Sequence, residues 1–209
     1  MTQETKNRRD DIVRAAIRLI ATYGFHGAPV SLIAREAGVG AGSIYRYFKD
    51  KDTLIVEIFH QLDQELKQTL LEGHDETQPL RRRFFHLCRG VFRFGRTRPH
   101  AFKFIEQFCH SPYGINLRRE KLFCECSASG EGFPLKHLFD LGRKQGVIRD
   151  LPLPVLLALT VGPMVFLTKD HIAGLLELDE ATIDKTIAAC WQAIAANGAK
   201  TGPAAPWLT

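Results

Sequence analysis

Tyr45, Arg46, Tyr47 and Lys51 place two phenol hydroxyls and two positive charges on a seven-residue stretch. Phenol, guanidinium and ammonium groups all donate hydrogen bonds to oxyanions. On a nucleic-acid backbone such contacts position a protein without reading its sequence. Tyr45, Tyr47 and Lys51 are therefore assigned to phosphate contacts. Ser43 and Arg46 are assigned to base edges or the groove wall, where an arginine paired with guanine is worth about 1–3 kcal/mol of discrimination. Just before them, Gly40, Ala41 and Gly42 leave the backbone nearly bare, which lets it approach a partner closely. The bland alternative packs Tyr45 inside the fold and leaves Arg46 as a solvated cation.

These groups need elements to hold them. Ser31 can cap a helix by accepting from the free amides of its first turn, and it joins the expected DNA-contact set. Ile33, Ala34 and Ala37 then give that helix one small, apolar face. Gly38 can end it in the left-handed conformation that other residues resist, with Val39 as an apolar plug under the turn. In SIYRYF, Ile44 and Phe48 lie four apart and face a core together, turning Tyr45, Arg46 and Tyr47 outward or sideways. Two helices around a glycine turn, the second opened by small residues, form the helix-turn-helix pattern.

The run VSLIAREAGVGAGSIYRYFKDKDTL, Val30 to Leu54, resembles the DNA-binding segment of the TetR family of bacterial transcriptional regulators. The stretch from Arg8 to Val30, with its aromatic-glycine ending at Tyr23, Gly24 and Phe25, is similar to the helix that precedes that segment in the family. The match spans roughly the first quarter of the chain, with the apolar positions, both turn glycines, the tyrosine pair and the Phe-x-x-Lys ending in order. One departure is Gly40, where family members often carry a Ser or Thr that caps the recognition helix and touches phosphate. The resemblance implies an all-α homodimer that represses by binding double-stranded operator DNA and is released by a small-molecule effector.

Charge divides by position. Residues 1–51 hold nine Lys or Arg against five Asp or Glu, whereas residues 52–209 hold nineteen against eighteen. Nearly all the excess therefore sits on the helix-turn-helix segment, where it favours polyanions and makes binding salt-sensitive. The polar start MTQETKNRRDD is unlike a secretory signal, so the expected location is cytoplasmic. Leu151 to Leu167 runs seventeen residues without a charge, against about 20 needed to cross a bilayer, and contains three prolines. A buried helix beginning near Pro152 or Pro154, kinked at Gly162 and Pro163, fits better than a membrane span.

Apolar periodicity predicts an all-α chain of about nine to ten helices. Residues 1–53 form a three-helix DNA-binding head, residues 54–198 a ligand-binding and dimerising body, and residues 199–209 a flexible tail. The first helix, about Arg8 to Tyr23, carries Ile12, Ala16, Leu19, Ile20 and Tyr23 along one stripe. Asp50 caps a long helix with Leu54, Ile58, Leu62, Leu66 and Leu70 at four-residue spacing, the natural lever between head and body. Further helices run from Leu80 to Gly95, from Pro99 to about Pro112, from Leu117 to about Ser127 and from Pro134 to Lys144, with a turn at Gly130 to Gly132. The last begins at Asp179 and shows Ile183, Ile187, Cys190, Trp191 and Ile194 on one side. That face and the uncharged segment before it suggest a homodimer interface made of about residues 152–172 and 179–196.

Ten of the fourteen phenylalanines lie between Phe84 and Phe139, and most must be core. A few polar groups among them would orient a largely apolar or aromatic effector. The candidate pocket takes Phe92, Phe108, Phe123, His137 and Phe166. Cys124-Glu125-Cys126 admits an alternative as a cysteine-based metal or redox sensor, but on a helix residues two apart point about 200° from each other and cannot both close a tetrahedral site. Five scattered cysteines form no evident disulfide framework. An enzyme is the weakest reading: adjacent Cys109 and His110 do not face each other on a helix, and neither a phosphate-binding glycine loop nor a paired-carboxylate motif occurs. No cofactor is implied.

Overall fold

The computed structural model describes residues 3–115 and 133–196. It is all-α, with α1 Gln3–Gly27, α2 Val30–Glu36, α3 Ala41–Ile44, α4 Lys51–Leu71, α5 Leu80–Thr97, α6 Pro99–Cys109, α7 Pro134–Lys144, α8 Leu153–Ile172 and α9 Glu180–Ile194. The expected helix from Leu117 to Ser127, the turn at Gly130 to Gly132 and the tail lie outside the described residues. The chain forms two compact units, one of Met1–Thr69 with Arg93–Glu125 and the other of Leu70–Phe92 with Cys126–Thr209.

In the first unit, α1 packs on α2 and α6, and α2 on α3. The stripe Ile12, Ala16, Leu19 and Ile20 is buried as its spacing demands, but Tyr23 is 62% exposed. Directly after it α1 breaks at Gly24, whose backbone (φ 75°, ψ 175°) leaves the helical region and redirects the chain. Phe25, one residue later, takes the inward place, 5.8 Å from Phe104 and 5.4 Å from Tyr113 between ring centres. Along α4, Leu54, Ile58, Leu62 and Leu70 are buried and Leu66 half-buried. Pro99 opens α6 at its first turn, where the missing amide costs no bond.

In the second unit, α8 packs on α7 and α9. Asp179 caps α9 by accepting from the Thr182 amide at 2.7 Å. The α9 stripe Ile183, Ile187, Cys190, Trp191 and Ile194 is entirely buried within the chain, with Trp191 5.3 Å from Phe84 of α5. That face is therefore spent on the chain's own core and is not left for a partner. For α8 it is the expectation of a buried helix that fails. Its buried positions are only Leu156, Thr160, Met164 and Thr168, a single stripe at four-residue spacing. Val155, Leu159 and Phe166 are exposed, because one neighbouring stripe cannot cover a helix that is apolar all round. By length and composition alone α8 is apolar enough to cross a membrane. Pro163 sits inside it without ending it.

Candidate nucleic-acid interface

The turn between α2 and α3 is built by the backbone. Gly38 takes φ +67°. Its amide donates to the Arg35 carbonyl at 3.2 Å, and the Val39 amide donates to the Ala34 carbonyl at 2.9 Å. This pair of bonds is the Schellman closure of a helix C-terminus, which only a left-handed residue permits at low cost. At the other end of α2, Ser31 is not the cap. Pro29 holds that position, and its carbonyl accepts from the Leu32 and Ile33 amides at 3.0 and 3.1 Å. Ser31 already lies inside the first turn, so its hydroxyl is left on the exposed side.

α3 is a single turn begun by Gly40 in extended backbone, with the Gly40 carbonyl accepting from the Ser43 amide at 2.8 Å. Ile44 and Phe48 are both buried to 1% exposure and pin the turn to the unit's core. Gly40, Ala41, Gly42, Tyr45 and Arg46 are exposed, while Ser43 and Tyr47 are half-buried. Tyr45, at 56% exposure, does not pack inside. The Arg46 guanidinium carbon lies 5.9 Å from the centre of the Tyr47 ring. A side chain on Gly42 would meet nothing within 4 Å. The chain's own packing therefore does not require glycine there, and the bareness matters only to something outside it.

Lys51 departs from the simplest phosphate assignment. Its ammonium donates to the Phe25 carbonyl, just past the break in α1, and burial pushes its pKa down. An ammonium has three donors, so one internal bond leaves two for an outside acceptor. Asp50 caps α4, its Oδ1 accepting from the Thr53 amide and hydroxyl, each at 2.7 Å. Those two bonds hold its carboxyl below the usual carboxylate range.

Several positioning residues carry no signal in the sequence, because their partners are distant in the chain. Arg9 pairs with Glu57 at 2.7 Å and lies 5.1 Å from the Phe48 ring centre, joining α1 and α4 over the base of the turn. Arg18 pairs with Glu36, joining α1 to α2. Gln107 of α6 donates to the Ala21 carbonyl at 3.3 Å, and the Tyr113 hydroxyl donates to Asp52 at 2.9 Å. Burial and the neighbouring carboxylate keep the Tyr113 phenol protonated by raising its pKa. The end of α6 is thus fastened to both α1 and the start of α4.

The described residues of the expected pocket are divided between the two units. Phe92 is buried in the second unit; Phe108 is buried in the first, stacked on Phe59 with ring centres 4.0 Å apart. His137 is exposed, and Phe166 is 64% exposed, so in the single chain both are surface side chains and neither lines an enclosed cavity. Phe123, Cys124 and Cys126 lie outside the described residues. Among the described residues, no group of three or more His, Cys, Asp or Glu is placed to hold a metal ion. Burial pushes the thiols of Cys88 and Cys190 upward, which makes them poor nucleophiles.

Two family models match the chain. "Bacterial regulatory proteins, tetR family" covers residues 12–58, and "Tetracyclin repressor-like, C-terminal domain" covers residues 79–195. An uncharacterised HTH-type transcriptional regulator of Haemophilus influenzae is 25% identical over 93% of this chain and 99% of its own length. The crystal structure of a TetR family transcription regulator from Marinobacter aquaeolei superposes with a TM-score of 0.80 at 26% identity, covering 94% of this chain and all of that one. FadR of Bacillus subtilis, solved in complex with stearoyl-CoA, shares the fold with a TM-score of 0.68 at 17% identity, over 87% of this chain and 96% of its own.

Proposed function

Since this chain belongs to the TetR family of bacterial transcriptional regulators, we propose that it is a cytoplasmic, homodimeric repressor that leaves its operator when a small, largely apolar effector binds. The observation that carries the DNA side is the α3 turn. Ile44 and Phe48 are fully buried beneath it, while Tyr45, Arg46 and the bare Gly40–Gly42 backbone are displayed on its outer side. A rigid base with exposed donors suits a phosphate backbone and a groove. Ser31, Ser43, Tyr45, Arg46 and Tyr47 make the contacts, and Lys51 adds its remaining donors.

The exposed apolar side chains of α8, Val155, Leu159 and Phe166, supply the dimer seam, with α9 supporting α8 from behind through its buried stripe. Two subunits then present their α3 turns to adjacent major-groove half-sites about 34–36 Å apart. An effector acts by favouring a dimer in which that spacing is lost, with a coupling of about 1–3 kcal/mol. The ties from α6 to the head, Gln107 to Ala21 and Tyr113 to Asp52, give such a change a route to α3. The stearoyl-CoA in FadR supports an apolar effector only by showing what this fold houses in another protein. Proteins of this design do their work by binding, so no turnover is proposed.

The test is fluorescence anisotropy with the chain's own upstream DNA and a random duplex of equal length. We expect a preference for the upstream DNA and a fall in affinity of about 10³–10⁵ between 50 and 200 mM salt, as for six to ten phosphate contacts. Equal binding to both duplexes overturns the proposal.

A further inference from the structure

The loop after α4 and the first turn of α5 gather four buried side-chain nitrogens, His74 Nε2, Arg81 Nε, Arg83 Nε and His86 Nε2, that have no hydrogen-bond partner among the described residues, while Arg82 donates to Gln78 at 3.3 Å. Arg81, Arg82 and Arg83 follow Leu80 at the start of α5, and that first turn contains no acidic residue. A helix N-terminus already carries partial positive charge and ordinarily attracts carboxylates. Three guanidiniums there are the reverse of what helix stability selects.

Two acids of the loop, Asp75 and Glu76, balance them only weakly. Asp75 is occupied by its own loop, accepting from the Thr77 amide at 2.8 Å, the Thr77 hydroxyl at 2.6 Å and the Gln78 side chain at 3.0 Å. These bonds hold its carboxyl down to about 2. Glu76 comes no nearer to Arg83 than 3.7 Å and is itself largely in solvent. Arg83, by contrast, is only 6% exposed, and its Nε has no partner. The Nε2 atoms of His74 and His86 are likewise buried without a partner, with ring centres 5.6 Å apart. A methyl group placed on Gly73 would sit 3.8 Å from His86 Cε1, so the loop backbone closes over that ring. Burial, then the positive charges of Arg83 and His86, push the His74 pKa down, while Glu76 and Asp75 oppose this less strongly.

Two imidazoles and a guanidinium in one place offer buried donors and a positive field. A cation fits poorly beside Arg83, whereas an oxyanion would satisfy all three groups and the free amides of the α5 first turn. We propose that Arg83, His74 and His86 bind a phosphate dianion at the N-terminus of α5, either inorganic phosphate or the phosphoryl end of a larger molecule. The anion accepts from Arg83 Nε and from both imidazole Nε2 atoms, and its charge favours the protonated imidazoles. The site uses none of the DNA-contact residues and stands independently of repression.

The experiment is a titration of the full chain followed through histidine Cε1–H NMR signals, at constant ionic strength, with sodium phosphate, monohexyl phosphate and sodium chloride in parallel. Of the eight histidines, the two assigned by His74→Gln and His86→Gln should shift and saturate with phosphate but not with chloride. Arg83→Gln, checked for folding by circular dichroism, should weaken binding at least about tenfold, as loss of a charge-assisted bond does. His74→Gln, on the loop, should give a similar loss without removing a fully buried group. Tighter binding of monohexyl phosphate assigns the site to the phosphoryl end of a larger molecule, and equal or weaker binding assigns it to free phosphate. The proposal is overturned if neither phosphate moves these two signals, if chloride moves them equally, or if folded Arg83→Gln binds phosphate as the natural chain does.

Discussion

The outer side of the α2–α3 turn and the outer side of α8 are both exposed, and their side chains differ in kind. Around α3 the exposed groups are glycine, alanine, tyrosine and arginine over a base of Ile44 and Phe48. On α8 they are Val155, Leu159 and Phe166 over a base of Leu156, Thr160, Met164 and Thr168. The first surface is stable in water and can wait for its partner. The second carries an apolar cost until something covers it, at about 25 cal/mol per Å² of apolar surface. Under the proposed function, DNA affinity is the property that an effector switches, while the α8 seam stays closed because an apolar patch of this kind favours association.

The sharpest way to break this contrast is to truncate one phenylalanine in each region. Phe48→Ala should cost about 3–5 kcal/mol of stability in urea unfolding, as removal of a buried phenyl ring does. Phe166→Ala should instead raise the dimer dissociation constant about 30-fold, or about 2 kcal/mol, in sedimentation equilibrium. If the dimer is unaffected by Phe166→Ala, the seam lies elsewhere. Next in size, Arg46→Ala should lose about 1–3 kcal/mol and relax preference at one base position in a binding-site selection. Tyr45→Phe should lose about 1 kcal/mol equally on every duplex, because it removes a phosphate contact and no base contact.

Two smaller effects test how the head is built. Asp50→Ala should lower the melting temperature, since the Thr53 amide loses its cap. The Asp50 carboxyl is held below its ordinary value of 3.8, so its contribution is present above that pH and disappears as pH falls through the lowered value. The melting difference between Asp50→Ala and the natural chain should shrink accordingly in acid. Smallest is Gly40→Ser, which should stabilise α3 by a few tenths of a kcal/mol. Space exists for it, since an added Cβ would lie 3.8 Å from Ser43 Oγ.

Local signals in the sequence proved readable where the structure used them locally. Gly38, Asp50, Asp179 and the Ile44–Phe48 pair depend on neighbours within a few residues, and each takes its expected place. Helix boundaries marked by proline, at Pro99 and Pro134, were equally legible. The last two helices were harder, because an apolar stripe does not say whether its partner is the same chain. Hence residues 152–172 and 179–196 both read as an interface, whereas in the single chain the α9 stripe is buried and α8 leaves Val155, Leu159 and Phe166 exposed. Tyr23 shows that spacing alone does not bury the last residue of a stripe: the regular spiral ends at the next residue, Gly24, and Tyr23 stays 62% exposed. Links such as Tyr113 to Asp52 and Gln107 to Ala21 join residues 61 and 86 positions apart, a distance over which periodicity carries no information.

The left-handed Gly38 closes the turn before α3 through main-chain bonds, and Ile44 and Phe48 hold α3 from beneath. Aim and vocabulary are thereby separate: the angle at which the turn is presented is independent of the side chains it displays. Under the proposed function, exchanging the exposed residues 42, 45 and 46 or the half-buried residue 43 changes what the turn offers to DNA without re-aiming the helix. What the turn reads and how it is pointed are then set by different residues.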